Sequence, residues 1–116
     1  MTLTGHVLQY IASFDIVSVV SRRVYPASLV INGRQLESVV IDPHYEEKHA
    51  ETVSDEIILA LVKLLDGKTF KPADSDEDGF QYFMNDHMEL DGKFYKLIWL
   101  LHEKEIFVGI VNAYRR

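Results

Sequence analysis

The stretch from Lys93 to Arg116 constrains this chain more than any other. Lys93-Phe-Tyr-Lys-Leu-Ile-Trp-Leu-Leu-His102 and Glu105-Ile-Phe-Val-Gly-Ile-Val-Asn-Ala-Tyr-Arg-Arg116 are two runs rich in aromatic and β-branched residues, separated by Glu103-Lys104. That pattern predicts a β-hairpin. In the first run Tyr95, Leu97, Trp99 and Leu101 alternate with Phe94, Ile98 and Leu100, and in the second Ile106, Val108 and Ile110 alternate with Phe107 and Val111. Strands apolar on both faces belong in the middle of a sheet covered on two sides. The polar residues Asn112, Tyr114, Arg115 and Arg116 gather where the last strand ends. The hairpin is therefore expected at the centre of the fold, with a working site at its far end.

The preceding chain supplies elements to surround it. Val7, Leu8, Ile11 and Phe14 share one helical stripe, and Ile16–Val20 is a β-branched run suited to a strand. Ala27–Ile31 and Arg34–Ile41 flank Asn32-Gly33, the signature of a type I′ hairpin turn, whose two central residues need positive φ. Asp42-Pro43 reads as a helix start, so His44–His49 is expected as a short helix. Thr52-x-x-Asp55 resembles a capping box for a longer helix carrying Ile57, Ile58, Leu61, Leu64 and Leu65 on one stripe, with Gly67 as its stop. Lys68–Lys71 reads as a short strand, 73–78 as an acidic loop, Gly79–Asn85 as a strand and Leu90-Asp91-Gly92 as a turn. The sum is an α+β fold of one domain spanning 1–116: a single antiparallel β-sheet centred on the C-terminal hairpin, with helices packed on it.

Composition excludes several classes. The 116 residues include no cysteine, so neither a disulfide framework nor a thiolate zinc site can form. No apolar run approaches the ~18–20 residues that cross a bilayer, and no basic segment precedes an apolar one at the start. A cytoplasmic location without a membrane partner is expected. The net charge of −6 is unevenly spread, because residues 74–91 hold seven acids (Asp74, Asp76, Glu77, Asp78, Asp86, Glu89, Asp91) and no Lys or Arg. Removing that −7 leaves the rest at +1, so a modest basic patch elsewhere is compatible with an acidic total.

Two patterns invite a metal reading. Asp74-Ser-Asp-Glu-Asp78-Gly79 opens like a calcium loop, but Asn85 stands where a bidentate Glu belongs and Lys71-Pro72 blocks an entering helix. His44 and His49, with His87 and His102 elsewhere, could offer imidazoles to zinc, yet a five-residue spacing does not stack two ligands on one helical face. A solvated turn and surface or capping histidines are the plainer readings. No metal and no cofactor are assigned.

His44 and Lys48, like Tyr45 and His49, are four residues apart, so a helix there would bring base, cation and phenol onto adjacent faces. Metal-independent RNA cleavage needs a base for the 2′-hydroxyl, cations for the phosphorane-like transition state and an acid for the leaving 5′-oxygen. His44 or His49 fits the first role, Lys48 and Arg115 the second, and Tyr114 the third.

Lys48-His49-Ala-Glu-Thr-Val53-Ser-Asp-Glu56 ahead of an apolar helix, the Gly-Lys-Phe-Tyr-Lys strand and the closing Gly109-Ile-Val-Asn-Ala-Tyr-Arg-Arg116 resemble the BrnT-type toxins over residues 42–116. Those group with RelE-type and barnase-like ribonucleases, in which helices precede an antiparallel sheet. The resemblance implies a site at Lys48, His49, Tyr114, Arg115 and Arg116. Ala50 replaces the family glycine, and the first forty residues have no counterpart there. The expected function is thus a toxin-like, metal-independent endoribonuclease acting on RNA, with a small cognate protein as partner. The alternative is a non-catalytic, immunity- or inhibitor-like protein-binding module that uses the acidic 74–91 strip, and a third reading is a metal-binding protein.

Overall fold

The computed structural model describes residues 22–41 and 53–116. Within them run β1 (Arg23–Ile31), β2 (Arg34–Ile41), α1 (Asp55–Lys63), β3 (Asp74–Ser75), β4 (Phe80–Leu90), β5 (Lys93–His102) and β6 (Phe107–Arg115). The sheet has six strands in the order β1-β2-β6-β5-β4-β3. All neighbours are antiparallel except β2 and β6, which are parallel, with Ile41 beside Ile110. The expectation of one antiparallel sheet with several helices is therefore corrected: the sheet is mixed, and 60% of the described residues are strand against 11% helix. The expected helices at 5–14 and 44–49 and the strand at 16–20 lie outside the described residues.

The mixed sheet follows from chain economy. The β1–β2 hairpin turns on Asn32 (φ 54°) and Gly33 (φ 72°), and β4–β5 turns on Asp91 (φ 53°) and Gly92 (φ 78°), both suited to type I′ geometry. From β2 the chain passes through α1 to the far edge, and β4, β5 and β6 meander back. Filling the space between β2 and β4 with two strands leaves β6 pointing along β2. The sequence carries no local mark of this pairing, because parallel partners need not be joined by a turn.

β5 and β6 are the two middle strands, and Leu97, Trp99, Val108 and Ile110 are fully buried, while Ile98 is half-buried. On one face Leu36, Val39, Ile41, Leu97, Trp99 and Ile110 join Ile58, Leu61 and Val62 of α1 in the main core. On the other, Phe80, Leu100 and Phe107 form a second, smaller cluster with Val40, Tyr82 and Val111 at its margin. These are called the helix face and the open face below, the second because no described helix packs on it.

α1 is capped by Ser54, whose hydroxyl accepts the Ile57 N–H. The cap is thus two residues later than the Thr52 expected from the capping-box pattern, and Asp55 and Glu56 complement the helix dipole in its first turn. Gly67 at φ 77° ends the excursion and donates its N–H to the Val30 carbonyl. Lys68–Lys71 is not a strand; it touches the sheet through one bridge between Lys68 and Ile31. Edge strand β1 is blunted by Pro26 and a bulge before Leu29.

Gly109 shows how tightly the second cluster is set. A methyl at its Cα would approach Leu100 Cδ1 to 2.6 Å and Cγ to 2.9 Å, so the whole Leu100 side chain would have to move. Gly109→Val is expected to destabilise by about 1–3 kcal/mol, the range for overpacking, measured as a shift in the urea midpoint at unchanged slope.

Candidate functional site at the exit of the last strand

β6 delivers its polar residues alternately to the two faces, as a strand must. Register fixes which goes where. Ala113 lies opposite Leu97 and Arg115 opposite Tyr95, on the helix face. Asn112 lies opposite Ile98 and Tyr114 opposite Lys96, on the open face. The extra residue between Ile110 and Asn112 is a β-bulge at Val111, which resets this alternation.

Tyr114 and Arg115 are therefore on opposite sides of the sheet. The Arg115 guanidinium carbon lies 5.9 Å from the centre of the Tyr95 ring, and the Lys96 ammonium lies 5.8 Å from that of Tyr114. Both are cation–π contacts, and they aim two cations in opposite directions. Arg116 donates to Asp86 Oδ1 at 2.9 Å, so the third cation named by the resemblance is neutralised by a carboxylate. His44, Lys48 and His49 lie outside the described residues.

What the structure does give is where that segment leaves and returns. Ile41 ends β2 beside Ile110, and β6 continues five residues further to Arg115. Ile41 and Val53 are both buried in the helix-face core. Arg23, opposite Ile41 in β1, holds Asp55 at the start of α1 through Nε–Oδ2 and Nη2–Oδ1 bonds of 2.6 and 2.9 Å. Both ends of the 42–52 connection are thus fastened at the end of the sheet where β6 exits, on the face to which Arg115 belongs.

The Arg23–Asp55 clasp was not anticipated from the sequence, although its signal exists: Arg23 and Tyr25 alternate onto one face of β1, and Asp55 opens the helix. The Tyr25 hydroxyl donates to Asp55 Oδ2. Burial alone would raise the Asp55 carboxyl, but hydrogen bonds from Arg23 and Tyr25 with the Arg23 charge outweigh it and hold it below the usual carboxylate range. Tyr25 is pushed up, first by that hydrogen bond. A depressed carboxylate stabilises the fold above its unfolded value near pH 4, and this is lost as pH falls through the lowered folded value. Asp55→Asn is expected to cost about 1 kcal/mol near neutral pH, a value discounted for partial exposure. It should also flatten the decline of the thermal midpoint on acidification.

The acids of residues 74–91 do not form one continuous strip. Asp74, Asp76, Glu77 and Asp78 surround the β3–β4 turn, and Asp86, Glu89 and Asp91 lie towards the other end of β4, roughly 25 Å away at ~3.3 Å per residue. The Glu103 N–H donates to the Gly79 carbonyl, which adds Glu103 to the acidic turn. Arg34 Nη2 donates to the His102 and Glu105 carbonyls at 2.8 and 2.7 Å, tying the β5–β6 turn to β2. The buried His102 ring bonds the Asp78 carbonyl through Nε2 and accepts the Lys104 N–H at Nδ1, so the proton is assigned to Nε2.

The calcium-like spacing resolves into ordinary turn chemistry. Asp76 Oδ1 accepts the Asp78 and Phe80 N–H groups, Oδ2 meets the Tyr82 hydroxyl, and Gly79 takes φ 94°. Tyr82 is raised above the usual phenol range by burial first and by the Asp76 charge second. Among the described residues no three His, Asp or Glu side chains converge as a cation would require. His87, at φ 55° in the Asn85–Met88 bulge of β4, is exposed beside Phe94.

Comparison with family models, with curated proteins and with solved structures returns no match. Among the described residues no helix is long and apolar enough to cross a membrane.

Proposed function

We propose that this chain is a toxin-like, metal-independent endoribonuclease whose site lies on the helix face at the exit of β6. The carrying observation is the parallel β2–β6 pairing. It starts the connection that bears His44, Lys48 and His49 beside the strand that ends in Arg115, and the helix-face core receives both ends of that connection. In this reading a histidine of that connection takes the 2′-hydroxyl proton, and Lys48 and Arg115 balance charge on the pentacoordinate phosphorus. Tyr114, on the opposite face, leaves the acid role to the other histidine of that connection, whose imidazolium gives its proton to the departing 5′-oxygen. The acidic end around Asp74–Asp78 and Glu103 is opposite the β6 exit, and of the three acids that share that exit, Asp86, Glu89 and Asp91, Asp86 is paired with Arg116.

Purified chain is expected to cleave RNA in the presence of a chelator. A well-folded preparation that cleaves neither naked nor ribosome-bound RNA would end this reading.

That acidic end supports a second reading, a non-catalytic module that binds a basic partner protein. Two turns present Asp74, Asp76, Glu77 and Glu103 together, and a cleft of about 380 Å³ between them is lined by Arg34, Asp76, Gly79 and Glu103. Reversing Asp74 and Glu77 to lysine separates the two readings: it should abolish partner capture while leaving RNA cleavage intact.

A further inference from the structure

We propose, resting on the second reading above, that the outer edge of β4 from Met84 to Glu89 takes an extended basic segment of a partner protein as an added strand. Beyond β4 the sheet continues only through β3, which pairs Asp74 with Tyr82 and Ser75 with Gln81. There the Tyr82 and Phe80 carbonyls accept the Ala73 and Asp76 N–H groups. Alternation turns the N–H and C=O of Met84 to the same side. β3 does not extend to meet them, because Pro72 would fall opposite Met84 and has no N–H to give. At the hairpin end Leu90 closes the two-residue turn with Lys93, which leaves Glu89 facing outward. Among the described residues no strand pairs with this stretch, and Met84, Asp86, His87 and Glu89 are all exposed. The other edge of the sheet is closed. Asp66 accepts the Val30 N–H and Gly67 donates to the Val30 carbonyl, while Pro26 and its bulge break the rest.

An added strand sends alternate side chains to the two faces, and on the helix face a place is ready for one of them. A cleft of about 370 Å³ lies between Leu64, Leu65 and Phe70 on one side and β4 residues 85–89 on the other. Buried Leu65 with half-buried Phe70 and Met88 gives it an apolar bed, and Lys68 in its wall disfavours a basic side chain there. The residue that enters is therefore apolar, and the cations are its neighbours along the strand.

The charge of the edge selects the occupant. Residues 74–91 hold seven acids and no Lys or Arg, set at both ends of β4. Asp86 is paired with Arg116, while Asp74, Glu77, Glu89 and Asp91 have no ion-pair partner among the described residues. A second copy of this edge would set carboxylates against carboxylates, which is unfavourable across paired strands. Lysine or arginine on an incoming strand reverses that sign.

The probe is a capped, dye-labelled peptide alternating lysine with valine or leucine, about ten residues long so that it spans the edge. Its binding to the full chain is followed by fluorescence anisotropy. A twin peptide carries N-methyl groups on its central amides, which removes donors from both of its edges and keeps every charge. Met84→Pro removes the outward N–H from the protein side and spares the ladder to β5; the twin peptide carries the test should that variant fail to fold. The parent peptide should bind saturably, and the twin and Met84→Pro should each weaken binding by about tenfold or more, as loss of main-chain bonds requires. Equal affinity for both peptides, with binding lost when Asp74 and Glu77 are reversed to lysine, would overturn strand addition and leave the second reading standing. No saturable binding of the parent peptide would overturn both. A chain that sediments as a dimer and becomes a monomer on Met84→Pro would assign the edge to a second copy and equally overturn the proposal.

Discussion

Trp99→Ala is expected to destabilise the protein by about 3–5 kcal/mol, the range for removing a buried large aromatic. Trp99 is fully buried in the inner face of a central strand. Its indole stacks on Phe83 with ring centres 4.1 Å apart and meets Phe70 edge-on at 5.5 Å. Its Nε1–H donates to Asn85 Oδ1 at 2.8 Å. Truncation removes the transfer energy, both ring contacts and the partner of a half-buried amide, and β5 is held on both sides and cannot collapse into the gap. Against a total of about 5–15 kcal/mol for a domain of this size, such a loss leaves a marginal fold. Urea titration followed by circular dichroism measures it, and a cost below about 1 kcal/mol would contradict the central placement of β5. Trp99→Phe keeps most of the volume and strands the Asn85 carbonyl, so an intermediate cost is expected.

How much of this was legible beforehand depends on whether the cause was local. Asn32-Gly33 and Asp91-Gly92 announce their turns because positive φ is a property of the residues that occupy it. The double-sided apolar pattern of Lys93–His102 signals burial on two faces, and that strand lies in the middle of the sheet. The parallel contact between Ser38–Ile41 and Phe107–Ile110 had no such mark. It joins segments about seventy residues apart, and its hydrogen bonds demand no side chain in particular.

The site suffered from a related blindness. Read from sequence, Tyr114 and Arg115 look like one polar cluster, but adjacent strand residues project to opposite faces. The unmarked bulge at Val111 decides which face each receives. Likewise, the acids of 74–91 look like one strip until β4 stretches them along its length. Arg116 finds Asp86 only because the β4 bulge and the last residues of the chain meet at one end. Net charge and spacing along a chain carry none of this. Alternation and register do, once the partner strand is known.

That geometry gives the functional reading a sharp internal contrast. If the ribonuclease site is on the helix face, Arg115→Ala should lower the rate of RNA cleavage by about 10²–10³-fold, the cost of removing one group that stabilises transition-state charge. Its effect on stability should be small, because Arg115 is exposed and loses a contact with the Tyr95 ring worth about 0.5–1 kcal/mol. Tyr114→Phe should leave cleavage within about threefold of the parent, since its hydroxyl is on the other side of the sheet and general-acid loss would otherwise cost about 10²–10⁴-fold. Rates are compared in chelator on one RNA, with thermal midpoints measured alongside. The reverse pattern, with Tyr114→Phe inactive and Arg115→Ala active, would move the chemistry to the open face beside Lys96 and detach it from the connection carrying His44 and His49. Equal loss in both would mean that substrate wraps the strand end, which two cations aimed in opposite directions make unfavourable for a single phosphate.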